Sequence, residues 1–368
     1  MYKVNAQQMK SLIKAYYKAN ASLMTYGGFG IGKSQITEQA AIELAESKQK
    51  EFKDWNTLTM AERDELFKAP EKYFVYVDVR LSQNDNTDLK GLPKFDGDDE
   101  AVIWKIPKWI LYFANQVSDG LIFFDEINLA PPSILASAYQ ILHDRCMSET
   151  SLTTNLGIVC AGNRMQDRAH TFDMPEPLRD RLGEIELEFN TDAWFKWAHQ
   201  KGLNSSLMAF LKFRPTYVYK VDFDGASKNI TPRGIEITSD LLANTKTDIL
   251  FDVVASRLGD AFAIEFEAFT KLTEKVDLNV ILDKPETIEN YQESDLRYSI
   301  MAGLSEIYKN NKSKFEGCIK VCEKVEPEYC ILLMQLMKSA QPTNFKNSMM
   351  KSEAATELMK SHFLYFYD

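Results

Sequence analysis

The sequence predicts an α/β fold in which a parallel sheet is covered by helices on both faces and followed by an all-helical part. Three observations carry this. Short, fully apolar runs such as LIFFDE (121–126) and NLGIVCAGN (155–163) alternate with helical stretches, the pattern of a sheet buried on both sides. A glycine-rich loop, 27–32, separates an apolar strand from a helix. From Asp192 onward the periodicity is helical almost to the end.

The elements follow in order. Met9, Leu12, Ile13 and Tyr16 recur at i, i+3, i+4 and i+7, which predicts an N-terminal amphipathic helix. ASLMTY (21–26) is a strand that runs into the glycine loop, and a helix follows from Ser34 to Ser47. A charged helical stretch, 54–69, leads to the β-branched and aromatic strand YFVYVDVRL (73–81). Residues 82–108 are irregular and carry Gly91, Pro93, Gly97 and the acidic run DGDDE. After LIFFDE, Pro131 and Pro132 open a helix to about 145; NLGIVCAGN and EIELEF (184–189) supply the last two strands. A domain boundary is expected near 190, with a second break where VDLNVILDKPETIEN interrupts the helical pattern at 275–290.

Composition excludes several classes. No apolar run approaches the roughly 20 residues of a membrane span, and the N-terminus lacks the apolar core of a signal peptide, so a cytoplasmic protein is expected. An odd number of cysteines, five, argues against a disulfide framework; Cys318, Cys322 and Cys330 read as core residues. A net charge of −10 disfavours a general nucleic-acid binder.

The chemistry is concentrated in three motifs. Gly27-x-x-x-x-Gly32-Lys33-Ser34, between strand and helix, fits a phosphate-binding loop. Glycines let backbone N–H groups wrap phosphates without Cβ obstruction, and the helix N-terminus adds partial positive charge. Lys33 would reach the β- and γ-phosphates, and the Ser34 hydroxyl would ligate Mg2+. LIFFDE delivers Asp125 and Glu126 to the carboxyl end of a buried strand, where open α/β sheets bind ligands. Asp125 is placed to hold Mg2+, and Glu126 to orient the attacking water. CAGN sets Asn163 at a neighbouring strand end, within reach of that water or the γ-phosphate. ATP is expected rather than GTP, because the catalytic strand ends in DE without DxxG and no NKxD motif occurs.

GGFGIGKS, LIFFDEINLAPPSILASAYQILHDR, CAGNR, PLRDRLGEIEL and TPRGIE, in this order, resemble an AAA+ ATPase of the MoxR-like, helix-2-insert type. The resemblance covers about residues 1–275. It implies a five-stranded αβα core over 1–190, a helical lid over 191–285, and a ring, usually a hexamer, with ATP between neighbouring subunits; residues 286–368 are a helical C-terminal extension. By this likeness Gly27, Gly28, Phe29, Gly30, Ile31, Gly32, Lys33 and Ser34 form the Walker A loop that binds ATP, and Asp125 and Glu126 form Walker B. Asn163 is sensor 1, and Arg233 in TPRGIE is the sensor 2 arginine that reaches the nucleotide.

The arginine finger falls in PLRDRLG, where Arg179 and Arg181 are both available. At i and i+2 on a helix they point about 200° apart, so one face cannot use both. The resemblance puts the finger at Arg181, although Leu182 stands where the family often has Phe. Leu129 in DEINLA likewise replaces a frequent arginine. DLKGLP and the stretch to 108 look like the helix-2 insert (about 85–108), and 145–158 looks like the hairpin before sensor 1. In similar proteins both face the pore or a client. Trp104 and Trp109, five apart, predict one exposed and one core side chain. AFAIEFEAF reads as a buried lid helix, and ELMKSHFLYFYD as a terminal helix packed on the lid.

The leading functional expectation is an ATP-driven ring that remodels or assembles a protein client. Many relatives work with a von Willebrand A domain partner; no DxSxS motif occurs here, so that partner would be a separate chain. The alternative is a nucleic-acid motor or loader, disfavoured by the acidic composition. A third, ATP as a structural ligand only, is disfavoured by the complete set Lys33, Asp125, Glu126, Asn163 and Arg181.

Overall fold

The computed structural model describes residues 1–95, 102–164, 176–222, 227–244 and 249–361. It divides into two compact units, Met1–Phe189 and Asn190–Asp368.

In the first unit the strands are β1 (Tyr2–Val4), β2 (Ser22–Tyr26), β3 (Glu51–Asp54), β4 (Tyr73–Arg80), β5 (Leu92–Phe95), β6 (Val102–Lys105), β7 (Gly120–Asp125), β8 (Cys146–Met147), β9 (Thr150–Ser151), β10 (Leu156–Gly162) and β11 (Leu182–Leu187). Seven of them form one sheet in the order β1-β11-β2-β10-β7-β4-β3, every pair parallel. The expected five-stranded sheet is therefore extended by one strand at each edge. Neither β1 (YKV) nor β3 (EFKD) is a continuous apolar run, because an edge strand leaves much of its surface in solvent.

Side-chain alternation sorts the central strands into two cores. Leu23, Phe74, Tyr76, Leu121, Phe123, Val159 and Ala161 pack on the buried faces of α1 (Ala6–Lys18) and α2 (Lys33–Ser47). Their neighbours Met24, Val75, Val77, Ile122, Phe124, Ile158 and Cys160 face the opposite core. That core also holds Leu66 of α3 (Met60–Lys68), Leu89 of α4 (Asn86–Lys90), Ile110 and Tyr112 of α5 (Lys108–Ala114), and Ile134, Ala138 and Ile141 of α6 (Pro132–Asp144). Asn5 and Gln8 cap α1 reciprocally, and Thr59 with Glu62 does the same for α3. The second cap explains why the charged stretch becomes helical only at Met60, with β3 and a turn before it.

The irregular region 82–108 contains α4 and the antiparallel hairpin β5–β6; its acidic run lies outside the described residues. Phe95 and Trp104 on this hairpin are 76% and 41% exposed, whereas Trp109 packs against the core. β8 and β9 form a second, shorter hairpin ahead of β10.

The second unit is helical, from Thr191–Lys201 to Glu353–Ser361. Phe210 is its aromatic centre, with the rings of Phe262, Phe266 and Phe269 edge-on within 5.1–5.5 Å. Phe262, Phe266 and Phe269 come from Asp260–Leu272, the helix that contains AFAIEFEAF, and are buried. Cys318, Cys322 and Cys330 are buried free thiols. Short helical pieces, 273–275, 278–283 and 285–290, occupy the break in periodicity. The end of ELMKSHFLYFYD, 362–368, lies outside the described residues. No helix among the described residues is long and apolar enough to cross a membrane.

Candidate functional site

β2 sits between β10 and β11 near the middle of the sheet, and the chain leaves its carboxyl end into the loop 27–32. Gly30 and Gly32 adopt φ of +70° and +95°, the left-handed region where a Cβ is costly. At Gly27 an added Cβ would lie 2.9 Å from Ile31 Cδ1 and 3.1 Å from the Leu187 carbonyl oxygen. α2 starts at Lys33 with no side-chain cap, so the loop and the first helical turn present backbone N–H groups. Lys33 is 9% exposed, and its ammonium donates to the carbonyl oxygens of Gly27 (2.8 Å) and Gly28 (2.9 Å). Phe29 and Ile31 are half-buried members of the same loop.

The Ser34 hydroxyl donates to Asp125 Oδ2 at 3.2 Å, joining the start of α2 to the end of β7. Glu126, directly after the strand, takes φ 54° and ψ 34°. Left-handed backbone is uncommon for a non-glycine residue, and here it turns the chain sharply off the strand. Its N–H donates to Asp125 Oδ1 (2.9 Å), and its Oε2 accepts from the Ser82 hydroxyl (2.7 Å). Ser82 lies in the turn that follows β4, the strand beside β7.

Asn163 follows β10. Asn128 holds its backbone from both sides, donating from Nδ2 to the Asn163 carbonyl (2.7 Å) and accepting the Asn163 N–H at Oδ1 (3.1 Å). A Cβ on Gly162 would come within 2.7 Å of Asn128 Oδ1, so this clasp needs glycine there. The Asn163 side chain forms no hydrogen bond among the described residues.

Carboxylates crowd this edge of the sheet. Asp78 on β4 has its carboxyl pushed up to about 6, by burial first and then by the charge of Asp125; its Oδ1 is buried without a partner among the described residues. Glu38 on α2 is also raised, by burial and by Asp54. Ser34 and Asp125 are the hard oxygen donors that Mg2+ takes, within hydrogen-bond distance of each other. Among the described residues no three His, Cys, Asp or Glu side chains gather as a self-sufficient metal site. One carboxylate and one hydroxyl fit an ion that completes its shell with phosphate oxygens and water.

Gly27–Ser34, Asp125, Glu126 and Asn163 thus meet at the carboxyl edge of the sheet. Arg179 and Arg181 lie elsewhere. Leu182 pairs with Ser22, the first residue of β2, so Arg181 lies by the opposite edge, about 16 Å away along a five-residue strand, while the Arg179 guanidinium reaches back to Glu184, level with Met24. The helical premise for the two arginines fails: the helix Glu176–Arg179 ends before Arg181, which lies in the turn into β11. Arg179 is engaged within the chain, clamping Glu184 with Nε and Nη2 at 3.0 Å each and meeting Glu176 at 3.1 Å. Arg181 is exposed and forms no hydrogen bond or ion pair among the described residues. Arg233 is exposed on the first turn of the helix Pro232–Ala243 in the second unit, where the Thr231 hydroxyl caps the Gly234 N–H.

Pattern reading missed Ser82 and Asn128. The available signals were a hydroxyl just past an apolar strand and an amide two residues beyond the acidic pair.

No protein-family model matches the chain, and no curated protein matches it. Among solved structures it is similar to C. elegans PCH-2, with 12% identity and a TM-score of 0.35 over 69% of this chain and 68% of that one. It is also similar to the Thermotoga maritima RuvB Holliday junction branch migration motor, with 14% identity and a TM-score of 0.30 over 83% and 93%. NtrX from Brucella abortus in complex with ADP shows 12% identity and a TM-score of 0.31 over 71% and 65%. These likenesses are distant, and the chemistry of the site rests on its own residues.

Proposed function

We propose that this chain is a Mg2+-dependent ATPase of the AAA+ class, MoxR-like, that works as a ring, hexameric by its resemblance, and spends ATP on remodelling a protein client. The observation that supports it best is the junction of Ser34 with Asp125 beside a Glu126 carboxylate held by Ser82. ATP phosphates would occupy the loop 27–32, with Lys33 exchanging the Gly27 and Gly28 carbonyls for β- and γ-phosphate oxygens. Mg2+, when bound, neutralises charge on those oxygens, and Ser34 and Asp125 would hold it. Glu126 orients the attacking water and accepts its proton, and the free Asn163 amide fixes the water or the γ-phosphate.

Arg181 belongs to the neighbouring site in this reading. Its distance from the loop of its own chain, and its lack of partners among the described residues, support donation in trans; Arg233 would be the sensor 2 arginine by the resemblance. The exposed Phe95 and Trp104 of the β5–β6 hairpin supply an apolar contact for the client.

Glu126→Gln is expected to retain ATP binding and lose about 10²–10⁴-fold in turnover; unchanged turnover removes Glu126 from its role. Lys33→Ala and Arg181→Ala are each expected to be inactive, yet to regain hydrolysis when mixed, because one interface then pairs an intact loop with an intact arginine. Failure to recover in assembled mixtures counts against sharing. Stimulation by single- or double-stranded DNA that fades with salt would favour a nucleic-acid motor instead.

A further inference from the structure

Asn128 is a buried polar side chain, 5% exposed, set between two residues of the candidate site. It lies in the single turn Ile127–Leu129 that follows Glu126. Two backbone hydrogen bonds close that turn: the Leu129 N–H donates to the Glu126 carbonyl (2.9 Å) and the Ala130 N–H to the Ile127 carbonyl (3.3 Å). Together with the left-handed backbone at Glu126 they fix the chain from 126 to 130, so Asn128 and Glu126 keep a set relation.

Asn163, at the other end of the clasp, lies beyond the ladders that hold β10. The last pair with β7 is Cys160 with Phe124, and the last with β2 is Gly162 with Tyr26. Among the described residues, the only hydrogen bonds to Asn163 are the two from the Asn128 amide. An amide side chain can donate to the carbonyl and accept the N–H of one residue at the same time. Holding both groups of a single residue fixes the peptide planes on either side of its Cα, and with them the direction of its Cα–Cβ bond. Each of these bonds replaces one to water and so adds little net stability. What the clasp adds is geometry.

Given the ATPase reading above, on which this rests, we propose that Asn128 is a positioning residue for hydrolysis. It ties the Asn163 backbone to the Glu126 turn, so that the Asn163 amide and the Glu126 carboxylate keep one arrangement around the attacking water and the γ-phosphate.

Steady-state ATPase kinetics on the full chain test this with Asn128→Ala, Asn163→Ala and the double variant. Asn163→Ala is expected to lower kcat by about 10²-fold, the cost of one transition-state donor. Asn128→Ala should lower kcat by about 10- to 100-fold, because a misplacement of about 1 Å costs that much. KM and ATP affinity should stay within about twofold, since the loop 27–32 is untouched. In the Asn163→Ala background the same substitution should cost no more than about twofold, because no amide is left to aim. A purely structural role would give the same kcat factor in both backgrounds. Asn128→Asp keeps the shape and the acceptor but loses the donor, so it should repeat the kcat loss if Asn128→Ala folds poorly. Unchanged kcat in either Asn128 variant, a loss carried wholly by KM, or equal factors with and without the Asn163 amide removes Asn128 from this role. If Glu126→Gln and Asn163→Ala also leave kcat unchanged, the ATPase reading itself falls, and this assignment with it.

Discussion

Strand β7 is bracketed by two carboxylates with opposite fates. Asp119, immediately before the strand, is 2% exposed and closed on all sides: the Tyr17 hydroxyl donates to Oδ1, and Lys48 and Lys50 reach Oδ2 at 2.7 and 3.0 Å. Asp125, its last residue, meets only the Ser34 hydroxyl and the N–H of Glu126 among the described residues, and stands near the Asp78 carboxyl. The amino edge of the sheet spends its charges on holding the unit together. The carboxyl edge keeps its charges available and accepts the repulsion this entails.

Exchanging the two carboxylates for neutral groups should separate their roles. Asp125→Asn is expected to lower turnover by about 10²-fold or more while leaving stability equal or higher, because it relieves the charge facing Asp78. Asp119→Ala should do the reverse. It strands two partly exposed lysines and should cost about 2–3 kcal/mol, discounted from the 3–5 of a fully buried pair, with nucleotide affinity retained. Urea unfolding and ATPase assays on both variants decide the matter; a stability loss in Asp125→Asn erases the contrast.

A subtler readout is pH. The carboxyl of Asp78 is raised in the folded chain to about 6, above its unfolded value near 4. Between these values the folded state holds a proton that the unfolded state has released, so this group makes stability fall as pH rises from about 4 to 6 and adds no slope beyond. Unfolding in EDTA without nucleotide should show the decline, and Asp78→Asn should flatten it. Asp125→Asn should flatten it in part; an unchanged slope in both excludes the pair as its source.

The smallest effect is expected at Ser82. Ser82→Ala removes one hydrogen bond to a part-exposed carboxylate, for about 3–10-fold in turnover with little change in nucleotide affinity. A loss as large as that of Glu126→Gln would make the hydroxyl more than a support.

The same contrast explains what was legible in the sequence. LIFFDE reads as a strand because burial on both faces leaves no polar residue until its end, and the glycine loop declares itself through backbone needs that only glycine meets. β1 and β3 were illegible because they are short and neither has a run of buried apolar residues. Ser82 and Asn128 were missed for another reason: they act on residues 44 and 35 positions away, and only the strand order makes them neighbours. Arg179 and Arg181 were framed as a choice between helix faces. The helix ends between them, and Arg179 is tied to Glu184.

The placement of Arg181 has a consequence for symmetry. A contact that brings it to the Asp125 edge of another copy joins two unlike surfaces. Each copy then spends its donor on one side and keeps a receiving edge open on the other, so the assembly has a direction. Such heterologous contacts propagate, and the rotation per step alone decides between a closed circle and an open helical filament.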